Sequence, residues 1–122
     1  MINLSPLPKT WIFDVDGTLV KHNGYLIDGY DTLLDGVKET FNKIDNSDTI
    51  ILLTAREEKY IDDLKQFLEK NSIRYNYLLS DIPVGERLLI NDNKPSGLIT
   101  AYAINKKRDE KLSIEYVINK DL

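Results

Sequence analysis

The 122-residue chain contains no cysteine. Disulfides, thiol catalysis and zinc sites built on thiolates are therefore excluded. A single histidine, His22, rules out a metal centre made of several imidazoles. Any metal must sit among oxygens, a donor set that suits a hard cation such as Mg²⁺. A basic surplus is missing too. Sixteen Lys and Arg stand against 20 Asp and Glu, a formal net charge of −4, and this balance argues against nucleic acid as a partner. No apolar run approaches a membrane-spanning length, and "MINLSPLPKTW" lacks the apolar core of a signal peptide. No membrane partner and a cytoplasmic location are the resulting expectations. Repeats and low-complexity tracts are absent.

What remains is the composition of one folded unit. A hydrophobic fraction of 42% and a charged fraction of 30% suit a globular chain, and the length suits a single domain over 1–122. Pro6 and Pro8 make the start an extended lead-in. Thr10 to Phe13 reads as a short buried strand. "TLVKHNGYLI" places Asn23-Gly24 between two β-prone runs, which predicts a hairpin over 18–27. His22 falls in that hairpin as a polar surface residue. The spacing of Leu33, Leu34, Val37, Phe41 and Ile44 predicts a helix over 31–44, weakened by Gly36.

"DTIILLT" (48–54) is short and continuously apolar, as a strand buried on both faces would be. Tyr60, Ile61, Leu64, Phe67 and Leu68 form the stripe of a helix over 57–71. Strands are expected at 75–79, 87–91 and 97–105, and "LSIEYVI" (112–118) suits strand or helix. "KKRDEK" reads as a solvated charged turn. The alternation of strands and helices points to an α/β fold with a mostly parallel sheet.

In "TWIFDVDGTLV" (10–20) the first strand runs directly into Asp14 and Asp16. Paired carboxylates at the end of an apolar run are costly to bury unless something cationic neutralises them. The second apolar strand ends at Thr54, and 87–91 ends at Asn91-Asp92. Ligands of open α/β sheets bind beyond the carboxyl ends of the strands. If these strands are parallel neighbours, Asp14, Asp16, Thr54 and Asp92 converge. A Mg²⁺ ion would hold such carboxylates together and offer open positions to a phosphate. Thr54, at the start of the 57–71 helix, could add a hydroxyl donor where free backbone N–H groups favour an anion.

"DVDGT", followed by "ILLTAR" and then "LIND", resembles the haloacid dehalogenase superfamily of aspartate-nucleophile phosphatases, from about Trp11 to Asp92. "NDNKPSGLITAYAIN" is further similar to small members associated with bacterial surface-polysaccharide and sugar-nucleotide pathways. The resemblance implies a three-layer, Rossmann-like sandwich and Mg²⁺-dependent hydrolysis of a phosphomonoester through an aspartyl-phosphate. Asp14 is then the nucleophile and a metal ligand. Asp16 is the general acid and base, its backbone carbonyl on the metal, and Asp92 completes the metal site. Thr54 is the phosphate-binding hydroxyl, with Ala55 and Arg56 of the same segment also at the substrate. Gly17 and Thr18 complete the first loop.

The chain departs from that pattern in one respect. The family usually supplies a lysine or arginine before the last acidic motif, and "LLSDIPVGERL" has no lysine. Lys94 is the preferred replacement, with Arg87 and Arg56 as the other candidates. The 18–27 hairpin and one helix fill the span between the first two motifs, so no large cap domain is expected and the site stands open. A homo-oligomer could close it. The favoured substrate is a small sugar or polyol phosphate. The alternatives are a nucleotide or nucleic-acid end, or a catalytically weak phosphate-binding or interaction subunit.

Overall fold

The computed structural model describes residues 1–122 as a mixed α/β chain with two parallel sheets. Strand β2 (Thr10–Asp14), β3 (Thr49–Leu53) and β4 (Tyr77–Leu79) form one sheet in that order. Strand β1 (Ile2–Leu4) pairs with β5 (Tyr116–Ile118) in the other. The apolar runs at 10–13, 48–54 and 75–79 therefore become strands, one to two residues from their predicted limits. β5 resolves the strand-or-helix choice at 112–118 in favour of a strand.

Register explains how the three-stranded sheet meets the core. Phe13, Leu52 and Leu78 lie side by side, as do Trp11 and Ile50 one step earlier. Side chains alternate between faces, so these residues share one face, and Phe13, Ile50 and Leu52 are buried on it. The Phe13 ring meets Phe41 of helix α2 (Val37–Lys43) at a centroid distance of 4.8 Å. Buried Asp48 fixes the start of both strands: its carboxylate accepts from the Lys9 N–H and the Trp11 Nε1–H, each at 2.9 Å. The opposite face carries Ile12, Ile51, Tyr77, Leu53 and Leu79. Ile12, Tyr77 and Leu79 are exposed there, so this sheet is covered on one face.

The helices are shorter than their patterns predict. Gly36, at φ 82°, caps α2, and a Cβ at that position would run into the Leu112 carbonyl. The glycine that interrupts the 31–44 periodicity thus marks where the helix begins. Residues 58–60 form a 3₁₀ turn leading into α3 (Ile61–Lys70). Ile61, Leu64 and Leu68 are buried along its inner stripe, and Asn71 ends it by donating from Nδ2 to the Phe67 carbonyl at 2.8 Å.

Two predictions are corrected. The 18–27 hairpin does not form. Asn23 is left-handed at φ 57°, but Gly24 opens the short helix α1 (Gly24–Ile27), so the two positive φ values of a type I′ turn are not met. Val20 instead bridges Leu33. The strands expected at 87–91 and 97–105 are also absent, since residues 80–115 contain neither helix nor strand. A strand requires a partner edge, and this segment bonds within itself. Asn91 Nδ2 donates to the Thr100 carbonyl, the Thr100 hydroxyl donates to the Asp92 carbonyl, and the Gly97 N–H donates to the Lys94 carbonyl to close a turn.

Candidate active site

The loop after β2 is wrapped around its own apolar anchors. Val15, Leu19 and Val20 are fully buried, and the Thr18 and Leu19 N–H groups turn back to the Val15 carbonyl at 3.3 and 2.9 Å. Gly17, at φ 84°, donates its N–H to the Val20 carbonyl at 2.8 Å. A left-handed residue between two buried anchors suits glycine, which has no Cβ to clash. Asp14 and Asp16 flank Val15 at the carboxyl end of β2, where sequence reasoning puts them.

Each aspartate has an arginine. Asp14 is half-exposed. Its Oδ1 accepts from Arg87 Nη1 at 2.8 Å and its Oδ2 from the Thr18 hydroxyl at 3.2 Å. Asp16 is held more completely. Arg56 Nε and Nη2 reach its Oδ1 at 3.0 and 2.8 Å, and the Thr54 hydroxyl reaches its Oδ2 at 2.7 Å. The other edge of Arg56 forks onto Asp31 at 3.0 and 2.7 Å. Arg56 is 2% exposed at its side chain and Asp31 is 4% exposed. The guanidinium carbon lies 3.8 Å from the centroid of the Tyr25 ring, a cation–π contact.

Burial pulls the Arg56 pKa down. The hydrogen bonds and charges of Asp31 and Asp16 more than offset that, so it lies above its ordinary value. For Tyr25, burial raises the phenol pKa. The Asp16 charge adds to this and the Arg56 charge opposes it.

These contacts reassign several sequence candidates. Thr54 and Arg56 are buried, and their side-chain donors go to Asp16 and, for Arg56, also to Asp31. Ala55 is exposed beside them. The cation that the structure sets on Asp14 is Arg87. Lys94 is exposed in the 91–100 loop and its side chain forms no hydrogen bond or ion pair. Its two-residue spacing from Asp92 would matter only if Asp92 lay at the site.

Asp92 does not join the cluster, because no group of three or more His, Cys, Asp or Glu side chains is gathered that could hold a metal ion. The strand that would have carried it beside β2 is not formed. With two carboxylates each paired to arginine and both Asp16 oxygens accepting, the residues as arranged do not fit a Mg²⁺ site.

Sequence reasoning missed the segment that closes over this loop. The Gly17 carbonyl accepts from the Asp109 N–H at 2.9 Å and from Lys106 Nζ at 3.2 Å. Asp109 Oδ1 in turn accepts from the His22 N–H at 2.7 Å. "KKRDEK" carries an exposed turn at 108–110, as expected, and is in addition tied to the first loop. Its sequence signal is only a run of charge, and nothing in spacing ties it to a loop almost ninety residues earlier. His22 Nδ1 is buried without a hydrogen-bond partner.

The Asp14 and Arg87 side chains are open to solvent. A cavity of about 670 Å³ lies elsewhere, along α2 and residues 111–116. No helix is long and apolar enough to cross a membrane. No family model, curated protein or solved structure matches this chain.

Proposed function

We propose that the chain hydrolyses phosphomonoesters at Asp14. The observation that carries this reading is the Asp14–Arg87 pair at 2.8 Å, half-open to solvent at the carboxyl end of a parallel strand. Arg87 can hold the nucleophile and also face the oxygens of a phosphoryl group, the double task that the haloacid dehalogenase pattern gives to its usual cation. An Asp14 oxygen attacks phosphorus, an O–P bond forms, and the bond from phosphorus to the departing alcohol oxygen breaks. Asp16 gives that oxygen a proton. It then takes one from the water that attacks the aspartyl-phosphate, which releases phosphate and restores Asp14.

Both Asp16 oxygens accept hydrogen bonds in this arrangement, so the step that places a proton on Asp16 needs one bond to reverse. Thr54 is suited to that. A hydroxyl both donates and accepts, and Thr54 Oγ1 already accepts from the Arg56 N–H at 3.1 Å.

Small sugar or polyol phosphates are the favoured substrates of this reading. A Rossmann-like third layer belongs to the same proposal. Supporting it are the exposed apolar residues on the free sheet face and in 84–104, where Leu88 is 84% and Ile90 87% exposed. Parallel sheets are ordinarily covered on both faces.

Phosphate release from sugar, polyol and nucleotide monophosphates, with and without Mg²⁺, tests the reading. A second reading, a phosphate-binding subunit without turnover, is favoured by the separation of Asp92 from the two aspartates. Phosphate binding without release would select it.

A further inference from the structure

Each of the other arginines in the chain is committed. Arg56 holds Asp16 and Asp31, Arg87 holds Asp14, and Arg74 donates to the carbonyls of Asp45 and Asp48. Arg108 forms no ion pair and donates no side-chain hydrogen bond. Yet it is not on a remote surface. Its stem lies against Gly17 in the loop that carries Asp16 and Thr18. An ideal Cβ at Gly17 would lie 3.2 Å from Arg108 Cγ and 3.8 Å from Arg108 Nε.

The turn that carries Arg108 is held to the loop by the Asp109 backbone and by the Lys106 side chain. Lys106 Nζ and the Asp109 N–H both reach the Gly17 carbonyl, and the Asp109 carboxylate takes the His22 N–H. Arg108 is exposed, in a turn held to the loop by these bonds.

We propose that Arg108 binds a second anionic group on the substrate, a carboxylate or a second phosphate, while the reacting phosphoryl group lies at Asp14 and Arg87. This rests on the phosphatase reading for the placement of the first group. The planar guanidinium presents a fork of donors that matches either anion. With Arg56 buried and Arg87 engaged, Arg108 is the uncommitted arginine against this loop. Gly17 has a second use in this arrangement, since the missing side chain leaves room for the arginine stem to lie on the loop. The substrate class narrows to small phosphomonoesters that carry another negative charge close to the ester.

Binding, measured by titration calorimetry on the full chain, tests this independently of turnover. Phosphonoacetate and ethylphosphonate share a phosphonate and differ in carrying a carboxylate or a methyl group. The proposal expects the wild type to bind phosphonoacetate at least about tenfold more tightly, as a charge-assisted pair would. Arg108→Ala should lose that preference with little change for ethylphosphonate, and Arg108→Lys should keep part of it.

Methylenediphosphonate, with a second phosphonate in place of the carboxylate, distinguishes the two anion classes by which is preferred. Equal affinity of the wild type for all three ligands overturns the proposal, and so does an unchanged preference in Arg108→Ala. Hydrolysis of phosphoglycolate and ethyl phosphate is read separately. Absence of both activities, with the binding preference intact, would count against the phosphatase reading and leave the anion subsite standing.

Discussion

Asp14 and Asp16 are two residues apart and are treated differently by the fold. Asp14 stands half-open with Arg87 and Thr18, whereas Asp16 sits behind it, gripped by Arg56 and Thr54. An attacking group must be reachable, and a proton-handling group must be held. Arg87→Ala should therefore reduce kcat for phosphomonoesters by about a hundredfold or more, the scale of losing one charge-stabilising donor. Lys94→Ala should leave kcat within about twofold. The reverse ranking in steady-state kinetics would return the cationic role to Lys94.

Arg56 is a different case, because it joins two carboxylates inside the molecule. Removing one partner of a buried ion pair leaves uncompensated charge, at about 3–5 kcal/mol. Arg56→Ala should lower unfolding free energy by that order in a denaturant titration. A loss below about 1 kcal/mol would show that the buried cluster does not hold the loop. That Arg56 lies with the aspartates was legible in the sequence. The burial of Arg56 was not, because its second partner, Asp31, lies in a segment read only as the start of a helix.

At the scale of elements, Gly36 shows how a single residue can be read two ways. On periodicity alone it is a weak point in a helix. In the fold it is the left-handed turn from which α2 starts, packed against the backbone of residue 112. Gly36→Ala would force a side chain into left-handed backbone at roughly 1–3 kcal/mol, with the Leu112 clash added. Thermal unfolding should show a large fall in Tm. An unchanged Tm would mean the contact with the 112 segment is dispensable.

Strands β2, β3 and β4 were legible because short continuous apolar runs suit a parallel sheet. The run at 87–91 has the same local pattern and forms no strand. Pattern describes what a segment could do, and pairing requires an edge that local sequence does not specify. Asp92 fails to reach the site for that reason. The 106–109 clamp was hidden for the opposite one: its contacts are polar and distant in sequence, so it leaves no periodic trace.

For the whole molecule, the uncovered face of the three-stranded sheet and the exposed apolar residues of 84–104 belong together. A second copy of the chain is the simplest cover, since identical chains offer both surfaces to each other by two-fold symmetry. Light scattering on the purified chain should give a native mass of a dimer or larger, above the 14.1 kDa of one chain. A monomer at all concentrations would rule out this cover. The central claim is chemical and is tested most directly by phosphate release in wild type and Asp14→Asn, across sugar, polyol and nucleotide monophosphates. Asp14 is at the surface end of β2, so the variant should fold, as circular dichroism would show. The wild type should release phosphate and a folded Asp14→Asn none above background; near-normal release by that variant would contradict hydrolysis at Asp14.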